Sequence, residues 1–427
     1  MKVFCISFII VDHLIGTAGS GMVKNVRYVE EFYRSLGGIF FFHGDVFVDT
    51  FFMISGLLVT YCLLVQFQKK FLNPLLLVFL RYIRLTPLYA VTLFYYATLF
   101  YKSGSGPQWD LMIRAERDYC RESWWTNMLY ISNYVKTDKM CMIHTWYLPC
   151  DMHYFIFAIF LVLLLHKNQK AGLFAICITT IVSVVIPFTI TYIYEHEALL
   201  HFYPEFLRDP RNNDVFSELY SKTHTRATSY LIGMIVGFIL FKTRKSTHKL
   251  SQLSTICYFC ASIIMMGIGM VSGYIFYIPG LPYNAFVAAT YAAFHRLIWA
   301  VGNSVFILTL GFGKMPIVSR LLTSNVLLPV SKLTYGCYLV HMIFLISAVA
   351  SNAQLSTLTF SYTAIRAVSF IIASFTTALV GYLLVEAPMR GMTKEFLLPS
   401  KIKQEIEKKV ENAETYPKSV FTIKTTL

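Results

Sequence analysis

The amino-acid sequence predicts an all-α protein, a polytopic membrane helix bundle of about ten transmembrane helices, and three observations carry that prediction. Only 14% of the 427 residues are charged and 56% are apolar, with a mean hydropathy of +0.56, where a soluble globular chain carries about 25% charged residues. Ten apolar stretches approach the roughly 17–25 residues that a helix needs to cross a bilayer. The net charge of +14 is segregated between alternate loops. With both termini on one side, the loops and tail of that side hold 21 Lys/Arg and 6 acids, and those of the other side 12 Lys/Arg and 13 acids. The positive-inside rule makes the first side cytosolic, C-terminus included, so the basic balance reports orientation and excludes a nucleic-acid partner.

The first span, 3–19, has a second reading. Lys2, the apolar run Val3 to Val11 and the small residues Thr17-Ala18-Gly19-Ser20 also fit a cleavable signal peptide. Keeping it as a helix preserves the charge partition. The second, third and fourth spans, 44–66, 80–103 and 146–166, are apolar runs that each hold charged residues: Asp49, the pair Arg81 and Arg84, and Asp151. The fifth to seventh, 171–194, 226–242 and 252–274, are bounded by basic clusters on the cytosolic side. The last three, 285–311, 330–350 and 361–385, carry Arg296, His341 and Arg366. The bundle therefore occupies residues 1–390, and 391–427 form a basic tail in which Lys401 to Glu414 reads as a helix on the membrane surface.

Seven of nine cysteines fall in or beside apolar spans and read as small core residues; Cys257 and Cys260 make a C-x-x-C without a second pair or histidines, so no metal is expected. Cys120 and Cys141 lie together in the long outer segment 104–145 with Trp109, Trp124 and Trp125. An oxidising exterior or lumen favours a disulfide between them, the alternative being two free thiols.

Polar residues inside the spans carry the functional information, because each costs a few kcal/mol at mid-bilayer unless it faces a cavity or a partner. At about 1.5 Å per residue, His13, Asp49 and Asp151 share a layer roughly 7–9 Å from the outer ends of their helices. Arg296 and His341 project just beneath it, and Arg366 returns to its level. The group reads as a buried catalytic or transport site, or as a network that only ties helices together. On the cytosolic side Arg81 and Arg84, at i and i+3, put two guanidiniums on one helix face at the mouth of the third span, suited to phosphates or simply to anchoring the helix. Lys2 and His13 share a face of the first helix, eleven residues apart.

Six segments in this order resemble the membrane-bound acyltransferase-3 family and its animal branch of nose-resistant-to-fluoxetine proteins. They are Val46 to Leu58, Arg81 to Pro87, Trp146 to Asp151, Arg226 to Gly233, Leu333 to His341 and Glu386-Ala387-Pro388. The family's pattern has an arginine ten residues before the first-helix histidine and an R-x-x-R on the third helix. Here Lys2 stands at the arginine position, His13 at the histidine, and Arg81 and Arg84 at the R-x-x-R. The family's sequence ahead of that position is missing, so the chain reads as truncated at the front. The resemblance implies an O-acyltransferase that takes an acyl group from a cytosolic donor, acyl-CoA, without a tightly bound cofactor, and gives it to a hydroxyl acceptor in or across the lipid bilayer. His13 would be general base or acyl carrier, oriented by Asp49 or Asp151; Lys2, Arg81 and Arg84 would hold the donor; Arg296 and His341 would hold the acceptor or the oxyanion. The competing reading is a transporter or lipid-handling protein on the same fold. Against it, the sequence shows neither an inverted repeat nor a pair of Gly/Pro-broken spans.

Overall fold

The computed structural model describes residues 1–69, 71–246 and 249–397. Lys70 and the expected surface helix Lys401 to Glu414 lie outside the described residues. The ten expected spans appear in order as α1 (Lys2–Gly19), α2 (Asp45–Phe67), α3 (Pro74–Thr98), α4 (Tyr147–Lys167), α5 (Gln169–Ile193), α6 (Thr228–Thr243), α7 (Gln252–Val271), α8 (Ala285–Phe312), α9 (Thr334–Ala350) and α10 (Phe360–Gly381). Eight are long and apolar enough to cross a membrane; α6 and α9, with 16 and 17 residues, are the shorter apolar ones. Among the described residues there is no strand, only one isolated bridge between Val23 and Ser356.

Polar caps set several helix starts. Asn73 Oδ1 accepts from Leu75 N at 2.9 Å ahead of Pro74 in α3, Asn284 Oδ1 accepts from Val287 N at 3.1 Å in α8, and Asn168 caps α5 in the same way. Pro187 sits inside α5 and Pro87 inside α3, and both helices continue through them.

The tightest crossing pairs α2 with α6. A Cβ at Gly233 would stand 2.0 Å from Met53 O, and one at Gly56 would stand 2.1 Å from Tyr230 O. Gly233 and Gly237 form the small-x-x-x-small pattern that lets two membrane helices approach backbone to backbone. This contact fixes the level of α2, and with it Asp45 and Asp49, against the start of α6, where Arg226 lies.

Between α3 and α4 the chain forms a folded cap. Cys120 and Cys141 are disulfide-bonded. Beside them buried Arg211 donates to Glu116 Oε1 at 2.5 Å, to Asp209 Oδ1 at 3.0 Å and to Met140 O at 2.8 Å. The other cysteines divide. Cys5, Cys150 and Cys337 are buried as expected of core residues and Cys62 is half-buried, whereas Cys177, Cys257 and Cys260 are exposed. The three exposed thiols lie on helix faces turned away from the bundle, where lipid rather than protein would surround a small apolar side chain.

Candidate functional site

The polar residues of the spans form three groups, and α1 touches each of them. The first is a set of histidines. His13 Nδ1 lies 2.8 Å from His341 Nε2, with the two rings nearly parallel. His341 is fully buried, and its Nδ1 lies 2.7 Å from the backbone carbonyl of Tyr338. A carbonyl can only accept, so Nδ1 of His341 carries a proton, and in the neutral ring Nε2 is then the acceptor. The proton between the two rings accordingly belongs to His13 Nδ1, which leaves the lone pair on His13 Nε2 unspent. His144, from the cap, packs edge-on against His341 with ring centroids 5.3 Å apart. Tyr338 Oη donates to the His144 carbonyl at 2.5 Å, which ties α9 to the start of α4.

The second group is ionic and lies toward the cap. Arg226, with no exposed surface, reaches Asp49 Oδ2 at 3.3 Å and Asp45 Oδ2 at 3.8 Å, and stacks over Trp146 and Tyr220. Arg296 reaches the same two carboxylates, at 3.4 and 3.5 Å. Two acids one turn apart on α2 thus face two guanidiniums from α8 and the lead into α6. Asp12, the neighbour of His13, lies on this side with His43, at the wall of a small cavity.

The third group lies deeper. Asp151 accepts from Arg81 and, at 2.8 Å, from Ser55 Oγ, and the Arg81 guanidinium lies over the Phe155 ring at 4.3 Å. Lys2, Arg81, Arg84 and Asp151 act on one another electrostatically, as do Arg84, Glu386 and Arg390; Arg390 pairs with Glu386 at 3.5 Å.

Several expectations change here. Neither Asp49 nor Asp151 is a hydrogen-bond partner of the His13 ring, because each is already taken by arginine; His341 orients the ring instead. Arg81 and Arg84 do not form one fork at the mouth of α3. The helix begins at Pro74, about two turns before Arg81, so Arg81 turns inward to Asp151 while Arg84 is exposed. Arg296 and His341, expected at one depth, belong to different groups. Arg366 joins none of them, as its guanidinium lies over Tyr362 and Phe370 on its own helix. Sequence reasoning missed Asp12, Asp45, Arg226, His144 and Arg390. The i, i+4 spacing of Asp45 and Asp49 was a usable sign that both face one partner; His144 carried none, being one polar residue in a polar loop.

In class this is a polytopic membrane bundle with a histidine pair and an ion-pair quartet buried between its helices. A family profile described as "Acyltransferase domain" matches residues 1–386, and the chain belongs to this acyltransferase-3 family. Nose resistant to fluoxetine protein 6 of Caenorhabditis elegans is 30% identical over 383 residues, covering 83% of this chain and 45% of that protein. Regulator of hypoxia-inducible factor 1 of the same organism is 25% identical over 301 residues, covering 64% of this chain and 54% of that protein. The chain therefore spans about half the length of the curated relatives it matches. No solved structure matches it.

Proposed function

We propose that the chain is an integral-membrane O-acyltransferase that moves an acyl group from acyl-CoA on the cytosolic side to a hydroxyl acceptor in or across the bilayer, with the C-terminus cytosolic. The observation that carries this reading is the free lone pair on His13 Nε2, held by the His13–His341 hydrogen bond. In this mechanism Nε2 takes the proton of the acceptor hydroxyl as its oxygen attacks the thioester carbonyl. The new C–O bond forms, the C–S bond breaks, and the proton passes from the imidazolium to the leaving CoA thiolate. His341 accepts the His13 Nδ1 proton throughout and stabilises the imidazolium as it forms. Lys2, Arg84 and Arg390 make a basic group suited to the phosphates of the carrier, and Arg81, held by Asp151, lies between them and the histidines. The bundle needs no metal for this chemistry.

The test uses the protein in phosphatidylcholine nanodiscs with acetyl-CoA labelled in the acetyl group and a total membrane lipid extract as the source of acceptors. The expected result is label in a chemically stable ester together with one equivalent of free CoA thiol, both lost in His13→Ala while the protein remains folded. Label transfer that persists in His13→Ala would remove the histidine from the chemistry. Folded wild-type protein that transfers no label from acetyl-CoA or longer acyl-CoA donors would favour the transporter or lipid-handling alternative.

A further inference from the structure

On the cap side of the bundle, Asp12, Asp45, Asp49, Asp151 and Arg296 all lie between the spanning helices. Arg366 does not. The backbone N–H of Gln108, in the cap, donates to Ala350 O at the end of α9, so α10, which follows after a short loop, also starts on the cap side. Arg366 sits six residues into α10, about 9 Å from that start. Tyr362, Ile365 and Val368 beside it are exposed, so this face of α10 meets lipid. Among the described residues no ion pair includes Arg366, and its one hydrogen bond runs from Nη1 to Tyr362 Oη at 3.2 Å. The guanidinium is held between two rings of its own helix, with centroids of Tyr362 at 5.4 Å and Phe370 at 5.2 Å. Four of its five N–H groups are therefore left without a protein acceptor.

A guanidinium among lipid chains calls for a countercharge, and the chemistry narrows its source. A second copy of the chain offers none, because the acids of the spanning helices are enclosed in the bundle, Glu386 among them. Water would solvate the group without neutralising it. The phosphate of a phospholipid does both, and the long arginine stem lets the head reach the phosphate layer of the leaflet. Two phosphate oxygens match the fork of a guanidinium, and Tyr362 Oη, which accepts from Arg366, still has its own proton to donate.

We infer that Arg366 and Tyr362 form a phosphate site for a phospholipid of the cap-side leaflet, with the guanidinium forked on the phosphate and the phenol donating to it. The site adjoins the histidine pair. Ala367, next to Arg366, packs with Leu14, the neighbour of His13, and with Leu345, one turn from His341. A phospholipid held there lies against the helices that carry the two histidines, and its binding does not depend on acyl transfer.

The experiment is native mass spectrometry of delipidated protein in nonionic detergent, titrated with dioctanoyl-phosphatidylcholine or with 1,2-dioctanoylglycerol, which has the same acyl body and no phosphate. The unaltered protein and Arg366→Gln share every other basic residue, so the difference in lipids bound per protein reports this site alone. The unaltered protein is expected to retain one phosphatidylcholine more than the variant. At that site phosphatidylcholine should bind tighter than dioctanoylglycerol by about tenfold or more, the size of one charge-assisted hydrogen bond. Arg366→Lys, a point charge without the fork, should fall between the two. Tyr362→Phe should weaken phosphatidylcholine and leave dioctanoylglycerol unchanged. Equal phosphatidylcholine binding by the unaltered protein and Arg366→Gln, or a parallel loss of both lipids in the variant, would overturn the assignment. If Arg366→Gln does not fold, Tyr362→Phe decides by the same comparison.

Discussion

Asp12 and His13 are neighbours in the chain, about 100° apart on α1, and they look into two polar groups built on opposite rules. On the Asp12 side charges are matched by charges: two aspartates of α2 face two arginines, one from α8 and one from the lead into α6, at 3.3–3.8 Å. On the His13 side nothing need be charged at all. Two imidazoles and a backbone carbonyl form a directed chain of N–H donors that ends in one free lone pair. A closed ionic set resists change because removing any member leaves another buried and unpaired, whereas a chain of neutral rings keeps one atom in reserve for a reaction. The first kind of group holds helices; the second is free to do chemistry.

Substitutions separate the two kinds. On the histidine side, His13→Ala is expected to lower turnover by about 10²–10⁴-fold, the range of a lost general base, with the melting temperature little changed; steady-state kinetics beside thermal unfolding in nanodiscs checks this. On the ionic side, Arg226→Ala should do the reverse and cost about 3–5 kcal/mol of stability, because Asp49 is fully buried and keeps only Arg296. Detergent-resistant yield and denaturant titration measure it; a stable Arg226→Ala protein would break the distinction. Opening the Cys120–Cys141 bond, which closes a separation of 21 residues, should cost roughly 3 kcal/mol in the loop-entropy model, seen as a lower melting temperature of Cys120→Ser and of the reduced protein alike.

His341 sharpens the comparison further. His341→Gln keeps an acceptor for the His13 Nδ1 proton and should retain part of kcat, while His341→Phe should lose it with KM for the donor unchanged; equal activity in both would mean that the hydrogen bond does not set the tautomer. The smallest effect lies outside the membrane, at Glu122. Hydrogen bonds from Lys139 and Lys136 hold its carboxyl below the usual range. Its contribution is thus complete above the usual glutamate value and fades as pH falls through the lowered one. Glu122→Gln should lower the cap's stability slightly at neutral pH, leave it unchanged at pH below the lowered value and so flatten the acid limb, as pH-dependent hydrogen exchange of residues 115–128 would report.

Much of the bundle was legible because a bilayer leaves few choices, and hydropathy located ten helices. Pairings were less legible. An apolar run that begins at 80 places Arg81 at the membrane edge; the cap at Asn73 starts the helix at Pro74, about 9 Å earlier, and the long arginine side chain then reaches Asp151. Asp45 to Arg226 spans 181 residues, and nothing local to either end announces the other. His13 and His341 were both named from their depth, but only packing decided that they would share a proton while Arg296, at a similar depth, went elsewhere.

The two shortest of the ten helices each adjoin one of these groups. At 1.5 Å per residue α6 is about 24 Å long and α9 about 26 Å, against a hydrocarbon core of roughly 30 Å. Helices shorter than the local core thin the bilayer around them or draw its headgroups inward. α9 carries His341, and α6 follows Arg226 directly. Where the bilayer meets α9 beside the histidine pair, it has to thin to match the helix. On the proposed acyl-transfer reading, activity should therefore track the thickness of the membrane that holds the protein, greatest in short-chain phosphatidylcholine and falling as the acyl chains lengthen.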